Sequence, residues 1–191
     1  MEGRDLLSLT PEELRRKIIM VPQTVSLFSG TLRENLCLAA PEASEQALWE
    51  ALDDVWLKDW VLEQPLGLDT DVGDAGQKLS GGQRQKIGIA RAVLCQAEYI
   101  VFDEATSSVD LESEQEIWRC IDSLAQTRTL IIISHRLSTI RGADNIYVLD
   151  RGQVAQQGTH TQLMAEPGLY RRLVQEQTLL EQQGEEGLHH G

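Results

Sequence analysis

The sequence lacks a glycine-rich turn ending in Gly-Lys-Ser or Gly-Lys-Thr, the pattern that forms a phosphate-binding loop in many nucleotide-binding enzymes. Its four lysines all follow residues other than glycine. They are Lys17, Lys58, Lys78 and Lys86. We therefore expect that these residues alone cannot build a complete phosphate-binding loop.

Basic residues and long apolar runs are also scarce. Lys and Arg number 17 against 30 Asp and Glu, a formal net charge of −13. Nucleic-acid backbones are bound by clustered basic residues, so we expect no nucleic-acid partner. No stretch approaches the roughly 20 continuous apolar residues of a membrane-spanning helix, and the acidic start is unlike a signal peptide. The sequence predicts a soluble, cytosolic chain.

Cysteine usage excludes two further classes of site. Cys37, Cys95 and Cys120 are odd in number and widely spaced, which matches neither a disulfide framework nor a zinc motif. They are predicted to be small core or surface residues in a reducing compartment. A length of 191 residues predicts one domain by default.

Apolar runs and capping patterns predict an α/β fold. Strands at 99–102 and 129–133 flank a helix at 111–124, which makes a βαβ unit. Both strands are continuously apolar, which favours a parallel sheet covered on both faces. Further elements are a strand at 17–21, a hairpin at 145–149 and 153–157, helices at 11–16, 44–54, 55–63 and 80–93, and a surface helix after residue 170 that fades into a tail.

Residues 79–83, Leu-Ser-Gly-Gly-Gln, carry the first candidate site. Ser80 and Gln83 fit a capping box at a helix start. Two glycines beside unpaired N–H groups would let a phosphate approach the backbone closely. The alternative is a glycine-rich turn that only caps a helix.

A second candidate site follows the strand at 99–102. Asp103 and Glu104 lie where open α/β sheets place their ligands, and such acids can hold Mg²⁺ and orient an attacking water. His135 ends the neighbouring strand and could meet the same phosphate. The alternatives are an acid pair that caps the turn at 105–108 and a structural histidine.

Together these motifs resemble the nucleotide-binding domain of ATP-binding-cassette (ABC) transporters over about residues 1–177. Gln23 in Val-Pro-Gln, residues 79–83, the acidic strand, residues 108–110 (Ser-Val-Asp) and residues 134–136 (Ser-His-Arg) stand in the order of that family. The segments most similar to the exporter branch are 27–35 (Leu-Phe-Ser-Gly-Thr-Leu-Arg-Glu-Asn), 143–144 (Ala-Asp) and 158–160 (Gly-Thr-His).

The resemblance implies a P-loop NTPase-like parallel sheet, truncated at its N-terminal side, with an α-helical subdomain at about 31–95 and a disordered polar tail at 178–191. It implies ATP and Mg²⁺ as cofactors. The implied partners are a second nucleotide-binding domain, as a homo- or heterodimer, and the transmembrane domains of an exporter. The implied location is the cytoplasmic face of the cell membrane.

The resemblance also assigns roles at ATP sites shared by two cassettes. Glu104 would be the catalytic base and His135 the switch histidine. Gln23 would sense the γ-phosphate, and Asp110 would contact the other cassette. By this resemblance the nucleotide-binding residues are Gln23, Ser80, Gly81, Gly82, Gln83 and Asp110, the metal-contacting residues Asp103 and Gln23, and the catalytic residues Glu104 and His135.

Two departures from the family pattern shape the functional expectation. The family's phosphate loop would precede Met1, and Asp74 stands where exporters usually carry glutamate. We expect the C-terminal part of an exporter ATPase domain that is inactive alone. The alternatives are a soluble cassette ATPase of DNA repair or chromosome maintenance, and a truncated module that pairs with complete ABC subunits and modulates them.

Overall fold

A computed structural model describes residues 5–188, apart from the side chains of residues 137, 138 and 180–188. The chain divides into two compact units, one ending at Ile133 and the other beginning at Ser134. The first unit contains all the predicted site residues except His135.

The described part of the first unit contains helices α1 (Pro11–Lys17), α2 (Leu32–Cys37), α3 (Glu45–Asp54), α4 (Lys58–Glu63), α5 (Gly81–Leu94) and α6 (Leu111–Ala125), and strands β1 (Ile18–Val21), β2 (Tyr99–Asp103) and β3 (Thr129–Ile133). The described part of the second unit contains helices α7 (Leu137–Ile140), α8 (His160–Ala165) and α9 (Leu169–Leu188), and strands β4 (Ile146–Asp150) and β5 (Gln153–Gly158).

The strands of the first unit form a parallel sheet in the order β1-β2-β3. Helix α6 is the crossover between β2 and β3, so the predicted βαβ unit is confirmed. The three strands end at the same edge of the sheet, with Val21 beside Phe102 and Asp103 beside Ile133. The predicted α/β fold with a parallel sheet and helices is therefore confirmed.

The prediction that both faces of this sheet are covered is wrong for the described first unit. One face is buried in the core, and Val21, Ile100 and Phe102 are at most 1% exposed. On the other face, Met20 is 56% and Ile131 is 47% exposed. This difference could not be predicted from the sequence, because both faces carry apolar side chains. In the structure, α5 and α6 pack against the strands from the covered side.

Side-chain caps explain where several helices begin. Thr10, Thr31 and Ser80 each form a capping box with a Glu or Gln three residues later. Helix α5 then runs through the middle of the core, where Ile87 and Ile89 are fully buried. The caps make these boundaries local properties of the sequence.

The second unit is built on the predicted hairpin of β4 and β5, which pair antiparallel. Ile146 and Val148 pack with residues of α8 and α9, and the hydroxyl of the buried Tyr170 lies 2.8 Å from His160 Nδ1. Helix α9 extends to Leu188 through most of the segment predicted as a disordered tail, and residues 189–191 lie outside the described residues. The predicted limits of the cassette and of its helical subdomain stay predictions.

Two further properties concern the described chain as a whole. Cys37, Cys95 and Cys120 are free thiols, and burial raises the pKa of Cys120 to about 11. Among residues 5–188, none of the helices has the length and apolar character that crossing a membrane requires.

Candidate functional site

The glycine-rich motif lies at the start of α5. Ser80 Oγ accepts the N–H of Gln83 at 3.1 Å, and Gln83 Oε1 accepts the N–H of Ser80 at 2.9 Å. Ser80 itself is exposed. Because the first N–H groups of a helix have no partner within it, this end can receive an anion.

The two glycines of the motif differ in their surroundings. A Cβ added at Gly82 would lie 2.5 Å from Ser113 Oγ and 2.7 Å from Ser113 Cβ, so no side chain fits there. A Cβ added at Gly81 would meet Ser108 O and Val109 Cγ1 at 3.6 Å, which is ordinary contact. Packing within the chain therefore requires glycine at 82 but not at 81.

This difference predicts unequal effects of the same substitution. Gly82→Ala should lower the free energy of unfolding by about 1–3 kcal/mol, the usual cost of overpacking. Gly81→Ala should not lower it, because the methyl group has room and alanine favours the helix. Urea unfolding of the two variants, measured side by side in the full-length protein, checks the prediction. Equal losses at both positions would contradict it.

The acid pair follows β2 at the carboxyl edge of the sheet. Asp103 ends the strand, and Glu104 adopts a left-handed backbone with φ 49°, which is uncommon for a residue other than glycine. The N–H of Glu104 donates to Ile133 O at 2.9 Å, and its carbonyl accepts the Ser107 hydroxyl at 2.9 Å. These bonds fix the backbone of Glu104 between the ends of β2 and β3.

Two more predicted residues lie near the glycine-rich motif. Gln23 follows β1, and its Nε2 donates to Ser108 Oγ at 3.5 Å. Asp110 caps α6, where its carboxylate accepts the N–H of Ser113 at 2.9 Å and the Ser113 hydroxyl at 2.8 Å. These two bonds lower the pKa of the Asp110 carboxyl. The structure thus links the loop after β1, the start of α5 and the start of α6 through contacts with residues 108–113.

The predicted metal and switch residues are Asp103, Gln23 and His135. Within residues 5–188, no group of three or more His, Cys, Asp or Glu residues could hold a metal ion, so the metal roles of Asp103 and Gln23 stay predictions. His135 lies in the second unit, in a turn where Ser134 Oγ accepts the N–H of Arg136 at 2.9 Å. Its role also stays a prediction.

Sequence reasoning missed the contacts of three residues in this region, namely Ser113, Lys86 and Ser29. The spacing of Asp110 and Ser113 could have revealed the cap on α6, because an acid at an N-cap bonds three residues ahead. Lys86 follows the polar residues 83–85 and carried no local signal of its burial. Ser29 gave no signal, yet its hydroxyl donates to Asp74 Oδ1 at 2.8 Å, so the shorter acid at 74 is bound within the chain.

Comparisons with known proteins agree with these motifs. The family model described as ABC transporter matches residues 1–107. An ATP-dependent lipid A-core flippase from Ralstonia nicotianae is 45% identical over 173 residues, covering 89% of this chain and 29% of that protein. P-glycoprotein 14 from Caenorhabditis elegans is 40% identical over 179 residues, covering 94% of this chain and 14% of that protein.

A solved structure agrees in fold as well. A bacterial Atm1-family ABC exporter with ATP bound matches with a TM-score of 0.83 and 38% identity, over 93% of this chain and 31% of that one. The chain thus spans less than a third of the length of these relatives. It belongs to the ABC transporter family, as a nucleotide-binding part of the exporter type.

Proposed function

We propose that this chain is the C-terminal part of the nucleotide-binding domain of an ABC exporter, and that the complete protein couples ATP binding and hydrolysis to transport across a membrane. The observation that carries the proposal is the meeting of three motifs around residues 108–113. Gln23 bonds to Ser108, the position of a Cβ on Gly81 is 3.6 Å from the Ser108 carbonyl, and Gly82 packs on Ser113 beside Asp110.

In this proposal the start of α5 contacts the phosphates of the ATP that is bound to a second cassette. Ser80 is exposed, and Gly81 beside it is only partly buried. Ser80, Gly81 and Gln83 would therefore contact phosphate from across a dimer interface, with Gly82 holding the helix start in place. Asp110, whose carboxyl has its pKa lowered by the two bonds from Ser113, would face the same interface.

The acid pair would serve the hydrolysis itself. Bound ATP supplies the γ-phosphoryl group that is transferred to water. Glu104 would accept the proton of that water, and His135 would contact the phosphate. Proteins usually hold Mg²⁺ through one or two carboxylates with phosphate and water ligands. Asp103 would supply such a carboxylate, and Gln23, which follows the neighbouring strand at the same edge of the sheet, would supply an amide oxygen. The fixed backbone of Glu104 would keep the base in place.

The chain's surface supports partners in the longer protein. The open sheet face with Met20 and Ile131 is apolar, and exposed apolar surface of this kind fits burial against other protein. We infer that it packs against the rest of the nucleotide-binding domain. The second cassette and the exporter's membrane domains would then place the chain at the cytoplasmic face of the membrane.

Nucleotide titration of two proteins tests the proposal. The 191-residue chain alone should hydrolyse no ATP and bind it weakly, because no phosphate-binding loop lies in its sequence. The full-length protein should bind Mg-ATP and hydrolyse it. Calorimetry measures the binding of ATP and phosphate release measures its hydrolysis, for each protein, after circular dichroism has shown that the 191-residue chain is folded. Tight binding with turnover by the isolated chain, or no turnover by the full-length protein, would contradict the proposal.

A further inference from the structure

The side chain of Lys86 lies almost completely inside the protein, one turn after the glycine-rich motif. It is 7% exposed, and its Nζ lies 2.6 Å from Glu116 Oε2 on α6. The same Nζ donates to the carbonyl of Trp56 at 3.3 Å. Trp56 adopts a left-handed backbone with φ 54° in the connection between α3 and α4. One ammonium group thus joins three parts of the first unit.

This ion pair is the second of two consecutive contacts between α5 and α6. The first is the packing of Gly82 on Ser113, which leaves no room for a Cβ. Residues 82 and 86 are four apart on α5, and residues 113 and 116 are three apart on α6, so each pair lies on one helix face. Apolar side chains of both helices also pack together in the core. The ion pair adds a directional contact that helps to set the angle between the two helices.

The two helices carry Ser80 and Asp110 at their N-caps. Ser113 links the first contact to the start of α6, because it packs on Gly82 and also donates its hydroxyl to Asp110. A change in the angle between α5 and α6 would therefore displace Ser80 relative to Asp110. We propose that Lys86 is a positioning residue, which holds these two helix starts in the arrangement that the second cassette meets. The inference rests on the proposed function.

Lys86→Met in the full-length protein tests the proposal, because methionine keeps most of the volume and removes the charge. Glu116 is 44% exposed and can then be solvated. We expect kcat per folded enzyme to fall about tenfold, between the effects of an exposed and a fully buried pair. The Kd for ATP, measured in a Glu104→Gln background, should stay within about twofold, because distant sites act independently.

Two controls separate positioning from a general structural role. Lys86→Arg keeps the charge and should restore kcat to within about threefold of the wild type. Lys58→Met removes a charge from the exposed ion pair with Asp53 at 3.4 Å and should change nothing. If Lys86→Met does not fold, Glu116→Gln provides the same comparison at a more exposed residue, with a fall of about threefold expected.

Two results would overturn the proposal. One is a wild-type kcat in Lys86→Met, and the other is an equal loss in Lys86→Met and Lys86→Arg. The turnover of the wild-type full-length protein is measured before that of any variant. If the wild type has no turnover, the proposed function is overturned instead. The two failures are therefore distinguishable.

Discussion

Glu104→Gln should abolish ATP turnover by the full-length protein and leave ATP binding intact. The amide keeps the size of the carboxylate but cannot accept a proton, and a general base contributes about 10²–10⁴-fold to a rate. Phosphate release measures turnover, and equilibrium binding of labelled ATP measures the Kd for ATP. We expect a fall in kcat within that range and an unchanged Kd.

The backbone hydrogen bonds that hold Glu104 should survive this substitution. The left-handed turn at Glu104 is held by its N–H and carbonyl, which bond to Ile133 and Ser107 without using the carboxylate. Glu98→Gln is a matched control. Glu98 lies immediately before the first residue of β2, at the opposite end of the strand from Glu104, and pairs with Lys17 at 3.1 Å. Wild-type turnover in Glu104→Gln, or an equal loss in Glu98→Gln, would show that Glu104 is not the base.

Ser80→Arg should block closure over the partner's ATP and abolish hydrolysis at that site, leaving the other site of the dimer able to close. The serine is exposed at a helix start, and the long side chain of an arginine would occupy the place where the partner's phosphate would bind. Loss of the cap costs about 0.5–2 kcal/mol of stability, whereas loss of the phosphate contacts should lower the rate at the partner's site by at least about 10²-fold.

The control for Ser80→Arg is a serine with the same local role. Ser44 caps α3, and its Oγ accepts the N–H of Ala47 at 3.2 Å. Ser44→Arg should lose similar stability but keep its turnover. Thermal unfolding and ATP hydrolysis of the two variants separate the effects, and similar turnover in both would contradict a special role of Ser80.

The sequence predicted the elements whose causes are local. Thr10 and Ser80 bond to residues three positions ahead, so each of these predicted helix starts is visible in a short segment. The parallel pairing of β2 and β3 also followed, because a helix of 15 residues lies between them. The site motifs were found for the same reason, since each lies at the end of one such element.

The remaining features depend on contacts between distant segments. The open face of the sheet was missed because Met20 and Ile131 are apolar like their buried neighbours. The pair of Lys86 and Glu116 is separated by 30 residues, and Ser29 lies 45 residues from Asp74. No local pattern encodes such pairs. The left-handed backbone of Glu104 was equally hidden, because the residue type disfavours it and the surrounding sheet imposes it.

Single-turnover hydrolysis by mixed dimers of the full-length protein tests the central claim most directly, namely that the glycine-rich motif of this chain serves the ATP of its partner. One dimer carries Ser80→Arg in one protomer and a disabled phosphate loop in the other. A second dimer carries both changes in the same protomer, beside a wild-type partner. We predict that the first dimer hydrolyses ATP at one site and the second at none. Hydrolysis by the second dimer and none by the first would contradict the account.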